Sequence, residues 1–345
     1  MPDETVLRSE GGEFDAILAA QGIGKAFLCD AAMRAFRAGE CLRYVADPKA
    51  DIRYWFWAPK GAWPQTRILA VGATGSLRAV SGALDEKLFG ARHLDLARCV
   101  LASSVNRSAR DGAISADLGA RRGFLALARP ISYRYALPLG TSYESFLARL
   151  GQHSRRNVHR ARRLADEARF QFTFDSSAPS PESFSERAAL GALTRPAAKT
   201  PARLAELDRI LAARPRPFTS AVRSADSSLI SFAAGFLAGN AAFLYVQLND
   251  STLPNADLAL LNRSFLVEQL LRQGIEELIF PGGVKGVLEH ACVREFGFEL
   301  VLARNSALAR MKLRFWRARA PDHPAARMLD SRRSGLSGLI RSAPR

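Results

Sequence analysis

Residues 218–280 constrain the fold more than any other part of the chain. Three stretches in this segment have the composition and spacing of β-strands: residues 218–222, 229–237 and 242–248. Gly239 and Asn240 separate the last two stretches, and both residue types tolerate the positive φ that a tight hairpin requires. A helical pattern ending at Gln273 and a further strand at residues 277–280 follow. Strands interleaved with helices in this order predict a mixed α/β sheet flanked by helices.

Similar patterns fill the rest of the chain. We predict helices at residues 27–36, 182–193 and 202–213, and strands at residues 42–45, 53–57, 67–71 and 170–174. A chain of 345 residues with 48% hydrophobic residues is long enough for two domains of ordinary size. We place an N-terminal domain at residues 1–135 and a second domain at residues 136–317. Residues 318–345 form a basic tail rich in Arg, Pro, Ser and Gly, which we expect to be flexible.

The overall charge favours anionic partners. Lys and Arg number 49 against 33 Asp and Glu, which gives a formal net charge of +16. Such a surface attracts the phosphates of a cofactor, a nucleic acid such as tRNA, or an acidic membrane. The charge by itself does not choose among them.

An Arg-rich run concentrates part of this charge. We predict one helix across residues 142–164, with an apolar stripe at its start and a cationic continuation. Arg155, Arg156 and Arg160 are the candidates for binding an anionic substrate. The alternative is that they form a solvated helix face, as charge runs often do.

Two stretches together resemble the FemAB/CelD-like branch of the GNAT acyltransferase superfamily, over about residues 140–317. The first is Tyr143, Phe146 and Leu150 followed by the Arg-rich run and a strand. The second is the turn at residues 253–258, its helix, the strand at residues 277–280 and Pro281-Gly282-Gly283. The resemblance implies a GNAT-like fold, with two such domains in tandem and the first degenerate. It also implies transfer of an acyl group from acyl-CoA, or from aminoacyl-tRNA, to an amine.

The resemblance also places a site. It implies that the turn before the helix and the glycine loop bind the acyl donor, through Pro254, Asn255, Ala256, Asp257, Leu258, Gly282 and Gly283. A helix N-terminus offers unpaired N–H groups to a pyrophosphate. However, the Gly-rich loop usual in the superfamily is absent, since no glycine occurs between Asn240 and Gly274. A non-catalytic GNAT-like module that binds a polyanion or an acidic membrane surface is therefore a second hypothesis.

Four residues are candidates for the chemistry itself. Tyr245 and Gln247 alternate with apolar neighbours and could orient an amine or an oxyanion. Lys285 and Arg294 are the cations near the glycine loop that could stabilise charge on the acyl oxygen. Each could instead serve packing or solvation.

Other chemistries receive less support from the sequence. The four cysteines are scattered and no His lies at metal-ligand spacing, so we expect neither a metal site nor a disulfide framework. The segment from Gly72 to Gly75 resembles the phosphate turn of short-chain dehydrogenases, but Arg78 stands where that motif needs a small residue. The acidic N-terminus is unlike a signal peptide, and no stretch is long enough to span a bilayer. We expect a cytoplasmic protein, soluble or peripheral to the inner membrane.

Overall fold

The structure, a computed structural model, describes most of the chain. The described residues are 3–21, 25–47, 52–57, 68–73, 96–102, 124–176, 182–194, 201–253, 257–281, 284, 286–304, 311, 314, 315 and 318. The chain divides into two units. The first unit comprises Met1–Arg8, Gly22–Tyr133 and Glu295–Arg345, and the second comprises Ser9–Gln21 and Arg134–Arg294.

A mixed sheet forms the first unit. Its strands are β1 (Asp3–Leu7), β2 (Leu42–Asp47), β3 (Ile52–Trp57), β4 (Ile68–Ala73), β5 (Leu96–Ala102) and most of β12 (Val293–Arg304). They lie in the order β1-β2-β3-β4-β5-β12, with β4 and β5 parallel and every other pair antiparallel. Helix α2 (Lys25–Arg37) packs against β2, β3 and β4. Trp55 is fully buried and stacks on Tyr44, so it serves the core.

The second unit repeats this strand pattern. Its strands are the end of β6 (Phe124–Pro138), β7 (Gln171–Asp175), β8 (Pro217–Arg223), β9 (Leu229–Ala238), β10 (Ala241–Asn249) and β11 (Glu277–Phe280). They lie in the order β7-β8-β9-β10-β11-β6, with β10 and β11 parallel and the other pairs antiparallel. In each unit the first four strands of the sheet order are antiparallel, the fourth pairs parallel with the fifth, and the fifth pairs antiparallel with the last. The predicted mixed α/β fold is thus confirmed.

Helices cover both faces of the second sheet. They are α1 (Glu13–Ala20), α3 (Tyr143–Arg149), α4 (Gln152–Glu167), α5 (Phe184–Leu193), α6 (Pro201–Ala212), α7 (Leu258–Arg272) and a 3₁₀ turn (Glu289–Ala291). Ala233 and Leu237 of β9 share one core with residues of α3, α4 and α7. Phe232 and Phe236 alternate with them and contact Arg187 of α5 and Phe14 of α1. Because both faces are covered, β9 is buried along almost its whole length.

The Arg-rich run forms two helices, which corrects the prediction of one. Helix α3 ends where Leu150 adopts an extended conformation, and Gly151 is the N-cap of α4. Leu150 is buried in the core of the second unit. The chain turns at this point because the apolar side chain is held there. A capping box formed by Ser142 and Ser145 fixes the start of α3.

The structure describes parts of two glycine-containing segments that the sequence analysis singled out. Gly72 lies within β4, where it pairs with Tyr54 and Leu101, so it is part of a ladder and not of a phosphate turn. Gly75 and Arg78 lie outside the described residues. The hairpin between β9 and β10 is present, but of its two residues only Gly239 has positive φ, at 60°.

Glu186 makes the stability of the second unit depend on pH in the acid range. Its carboxylate accepts hydrogen bonds from Arg223, at 2.7 Å, and from the Ser183 N–H, at 3.0 Å. The Arg223 hydrogen bond is the main cause that lowers the pKa of Glu186 from 4.5 to about 2. A carboxylate with a lowered pKa stabilises the folded state above pH 4.5 and loses that contribution as pH falls towards 2.

We therefore expect Glu186→Gln to lower the free energy of unfolding by about 1 kcal/mol at neutral pH, a value reduced for solvent screening because the side chain is 38% exposed. The deficit relative to the parent should shrink as the pH falls below 4.5. Urea unfolding at a series of pH values measures this difference. Glu167→Gln is the control, since Glu167 is 62% exposed and makes only a loose ion pair. A deficit that does not change with pH would contradict the assignment.

Candidate functional site

The parallel strands β10 and β11 are paired over three residues and then separate. Residues 241–243 of β10 pair with residues 277–279 of β11, and β11 ends at Phe280 while β10 continues to Asn249. A β-bulge interrupts the pairing of β10 with β9 between Leu244 and Val246, which leaves Tyr245 as the extra residue. Bulges bend a strand and increase its twist. We call the space flanked by residues 244–249 of β10 and the end of β11 the strand opening.

Helix α7 follows β10 and packs against it. The Asp257 side chain caps the helix by accepting a hydrogen bond from the Leu260 N–H at 3.0 Å. Leu258 is buried in an apolar cluster with Leu261, Val222 and Ile230. The start of α7 is therefore anchored in the core, and a carboxylate already accepts from one of its N-terminal N–H groups.

Arg263 extends from α7 to both strands that flank the strand opening. Its Nε donates a hydrogen bond of 2.8 Å to Oε1 of Gln247 on β10. Its guanidinium carbon lies 5.1 Å from the centre of the Phe280 ring at the end of β11. Burial lowers the pKa of Arg263, and the charges of Asp257 and Cys292 act in the opposite direction. The helix thus holds a half-buried cation between the two strands.

Gln247 fixes the orientation of this cation. Its Nε2 donates to the carbonyl oxygen of Ala259 at 3.1 Å, while its Oε1 accepts from Arg263. A guanidinium can only donate and a carbonyl can only accept, so the two bonds determine which way the amide points. Gln247 and Tyr245 are both half-buried.

A polar network behind α7 fixes the rotation of the helix. Ser220 donates to Asn262 at 2.7 Å, Asn262 donates to Ser231 at 2.9 Å, and Ser231 donates to Asn249 at 2.8 Å. Ser220, Ser231 and Asn262 are buried, and hydrogen bonds of this kind compensate the cost of burying polar groups. Because Asn262 precedes Arg263, this network also sets the direction in which Arg263 leaves the helix.

Several residues predicted for the site fall outside the described part of the chain. They are Pro254, Asn255, Ala256, Gly282, Gly283 and Lys285. Arg294 is the second residue of strand β12, and only its backbone is described. Among the predicted residues that are described, the structure brings together Tyr245, Gln247, Asp257 and Leu258, on β10 and the start of α7.

The Arg-rich helix α4 separates its arginines into two groups. Arg155, Arg156 and Arg160 are exposed, as expected of residues that meet an external anion or simply solvent. Arg162 instead bonds to Ser264 and to Glu268, at 2.9 Å, on α7. Its guanidinium lies between the rings of Tyr143 and Phe265, at 4.4 and 4.3 Å from their centres. Arg162 therefore joins α3, α4 and α7 and has a structural role.

Sequence reasoning missed Arg263, although a local signal was present. Asn262, Arg263 and Ser264 form a polar triplet inside a helix whose other residues are mostly apolar. A buried helix does not carry such a triplet without partners. The signal could have identified a functional or structural cluster, but not its partners on β10 and β11.

Two global properties bear on the kind of site. Within the described ranges, no group of three or more His, Cys, Asp or Glu side chains could hold a metal ion. None of the helices in the described part of the chain has both the length and the apolar character needed to cross a bilayer.

Comparison with solved structures supports the fold. FemX matches with a TM-score of 0.58 at 11% sequence identity, over 90% of this chain and 99% of that chain. L-PGS from Bacillus licheniformis matches with a TM-score of 0.52 at 11% identity, over 91% of this chain and 97% of that one. No protein-family model and no curated protein matches the sequence. At these identities the likeness shows a fold shared with FemX and L-PGS, while membership of the GNAT superfamily and of its FemAB/CelD-like branch stays a prediction.

Proposed function

We infer that the second unit is an N-acyltransferase that moves an acyl group from an activated donor to an amine. The observation that carries this inference is the strand opening, a half-open parallel pair with the oriented guanidinium of Arg263 between its strands. A parallel pair that separates exposes strand backbone that can bind an acyl group, and the cation beside it attracts an anionic group of the substrate. The fold shared with FemX and L-PGS supports acyl transfer at the level of the fold alone.

The proposed reaction needs little covalent chemistry from the protein. The deprotonated amine attacks the acyl carbon, a C–N bond forms, and the bond to the thiol of CoA or to the hydroxyl of tRNA breaks. The leaving group takes up a proton and the amine loses one. Positioning and oxyanion stabilisation then supply much of the rate.

We assign roles within the site as follows. Tyr245, at the bulge of β10, is the candidate that contacts the substrate. Gln247 already uses both ends of its amide, so we assign it to positioning Arg263. Lys285 and Arg294 remain candidates for oxyanion stabilisation, as the resemblance implies.

The identity of the donor is less constrained. The carboxylate of Asp257 occupies the N-terminus of α7 and would repel a pyrophosphate placed there. This observation weakens the expectation that CoA binds through residues 254–258. Acyl-CoA and aminoacyl-tRNA are therefore both tested as acyl donors.

A second candidate function rests on the exposed face of α4. Arg155, Arg156 and Arg160 are accessible, and the whole chain carries a large positive charge. A non-catalytic module would use this face to bind a polyanion or an acidic membrane surface. Binding of heparin, tRNA and acidic vesicles to Arg155→Gln/Arg156→Gln measures its contribution. Strongly salt-dependent binding by the parent that is weaker and less salt-dependent in the double variant would favour this candidate.

Single-turnover acyl transfer tests the main proposal. We expect the parent to acylate at least one member of an amine panel with acyl-CoA or aminoacyl-tRNA. Lys285→Met or Arg294→Met should then lower the rate about a hundredfold, as loss of an oxyanion-stabilising group does. Arg272→Met is the control, because Arg272 lies on α7 with its side chain 64% exposed. The proposal fails if the parent transfers no acyl group from either donor.

A further inference from the structure

The guanidinium of Arg263 has N–H groups that make no hydrogen bond to the described residues. Its Nε is bonded to Gln247 at 2.8 Å, and within the described residues neither terminal nitrogen has a hydrogen-bond partner. Arg263 also forms no ion pair with a described carboxylate, in contrast to Arg162 of α4, which bonds to Glu268 on α7. No described residue accepts from the four N–H groups on the two terminal nitrogens, so these groups can donate to a ligand.

Arg263 is half-buried, so an ion pair with its guanidinium is screened less by water than an ion pair on the open surface. The side chain is fixed by the Ala259–Gln247–Arg263 hydrogen bonds and by the Phe280 ring. An arginine that served only packing would not need the Gln247 amide to orient it. The guanidinium of Arg263 is therefore held in one orientation before any ligand binds.

The guanidinium and its surroundings together indicate the class of ligand. Two parallel N–H groups of a guanidinium pair with two oxygens of one carboxylate or phosphate. The charge of Asp257 lies within electrostatic reach of Arg263, so a group with a single negative charge is better matched there than a doubly charged phosphate.

We propose that Arg263 binds a carboxylate of the substrate in the strand opening, so that the acyl acceptor is a carboxylate-bearing amine of the amino acid class. The inference rests on the proposed function for the role of the strand opening. It adds a specificity-determining residue and a substrate class. Gln247 and Phe280 act as positioning residues for Arg263.

Ligand-induced thermal stabilisation tests the proposal without any turnover. The probes are a panel of N-acetylamino acids, which carry both an acyl-amide group and a carboxylate, and the matched N-acetylamino acid amides, which lack the charge. We expect at least one acid to stabilise the parent more than its amide does. Arg263→Met should weaken binding of that acid about ten- to a hundredfold and leave binding of the amide unchanged.

Further variants separate a binding role from a structural one. Arg272→Met, on the same helix, should bind the acid as the parent does. Arg263→Lys keeps the positive charge but lacks the planar guanidinium, so we expect its affinity for the acid to lie between those of the parent and Arg263→Met. If Arg263→Met does not fold, Arg263→Lys replaces it as the test variant. Methyl phosphate is the competing anion. If methyl phosphate stabilises the parent through Arg263 and no acid does, the carboxylate assignment is overturned.

Two outcomes distinguish this inference from the proposed function. Arg263-dependent binding of acids without acyl transfer from any donor would leave the carboxylate site standing and overturn the acyltransferase. Acyl transfer that is unchanged in Arg263→Met would leave the acyltransferase standing and overturn the carboxylate site. If no acid binds the parent better than its amide, the inference is also overturned.

Discussion

Replacing Arg214 with Met is expected to lower the free energy of unfolding of the second unit by about 3–5 kcal/mol. The Arg214 side chain is fully buried and its Nη1 lies 3.2 Å from the Asp15 carboxylate on α1. It also donates to the carbonyl oxygen of Ser9 and lies over the Phe14 ring. The substitution would leave the Asp15 carboxylate buried without this partner, which is why the expected loss is large.

The loss of unfolding free energy in Arg214→Met should depend on pH. Burial raises the pKa of Asp15 above 3.8, and Arg214 opposes this effect. Without Arg214 the pKa of the folded state rises further, so the folded carboxyl group binds a proton at a pH where the unfolded one is ionised. The deficit of Arg214→Met should therefore be largest near neutral pH and shrink as the pH falls towards 3.8.

Spectroscopy can assign this loss to the second unit. All four Trp lie in the first unit, whereas six of the seven α-helices in the described residues, α1 and α3 to α7, lie in the second. In urea unfolding, Trp fluorescence therefore reports on the first unit, and a loss of far-ultraviolet circular dichroism that precedes the fluorescence change reports on the second. Arg216→Met is the matched control, because Arg216 is exposed. An Arg214 variant as stable as this control would show that the ion pair does not hold α1.

Removing both charges should restore much of the stability. The double variant Asp15→Leu/Arg214→Met replaces the pair with apolar side chains and leaves no carboxylate uncompensated. Buried pairs replaced in this way often lose little stability. If the double variant is no more stable than Arg214→Met, the cost arises from lost packing around Arg214 and not from the unpaired charge.

The second large effect is expected for Gly235→Ala, with a loss of about 3 kcal/mol. A Cβ at Gly235 would lie 1.9 Å from the carbonyl oxygen of Phe243 and 2.8 Å from the ring of Phe218. The carbonyl oxygen belongs to the backbone of the paired strand and cannot rotate away. Strands β9 and β10 would have to move apart next to the bulge.

The same substitution should affect the site. Gly235 pairs with Leu244, directly before the bulge that borders the strand opening. We therefore expect acyl transfer, where the parent shows it, to fall together with stability. Gly151→Ala is the control, since nothing lies within 4 Å of a Cβ there. Chemical denaturation of both variants measures the difference, and a Gly235→Ala protein within about 1 kcal/mol of the parent would contradict the close approach.

Local patterns sufficed for most elements of the second unit. Strand alternation predicted β8, β9 and β10 to within a few residues, and the strand at residues 277–280 coincides with β11. These predictions succeeded because each strand has apolar residues that must be buried on a sheet face. The single helix predicted for residues 142–164 failed because periodicity continues across Leu150 and Gly151, whereas burial of Leu150 in the core decides that the chain turns there.

The candidate site was only partly accessible from the sequence. Tyr245, Gln247, Asp257 and Leu258 were chosen from a resemblance and from alternation, and they lie on two adjoining elements. Arg263 was not chosen, because its partners come from elements that are distant in sequence. Gln247 lies 16 residues away, and the contact with Phe280 depends on how β11 pairs with β10.

By itself the sequence determined the element types, the Gly239 turn and the excess of positive charge, since these follow from short-range sterics, periodicity and composition. The tertiary structure alone decided which unit each element joins. Residues Ser9–Gln21 follow β1 of the first unit, yet they belong to the second. The Asp15–Arg214 ion pair that holds α1 there joins residues 199 positions apart. No local preference encodes such a contact, because its free energy exists only when both charges are buried together.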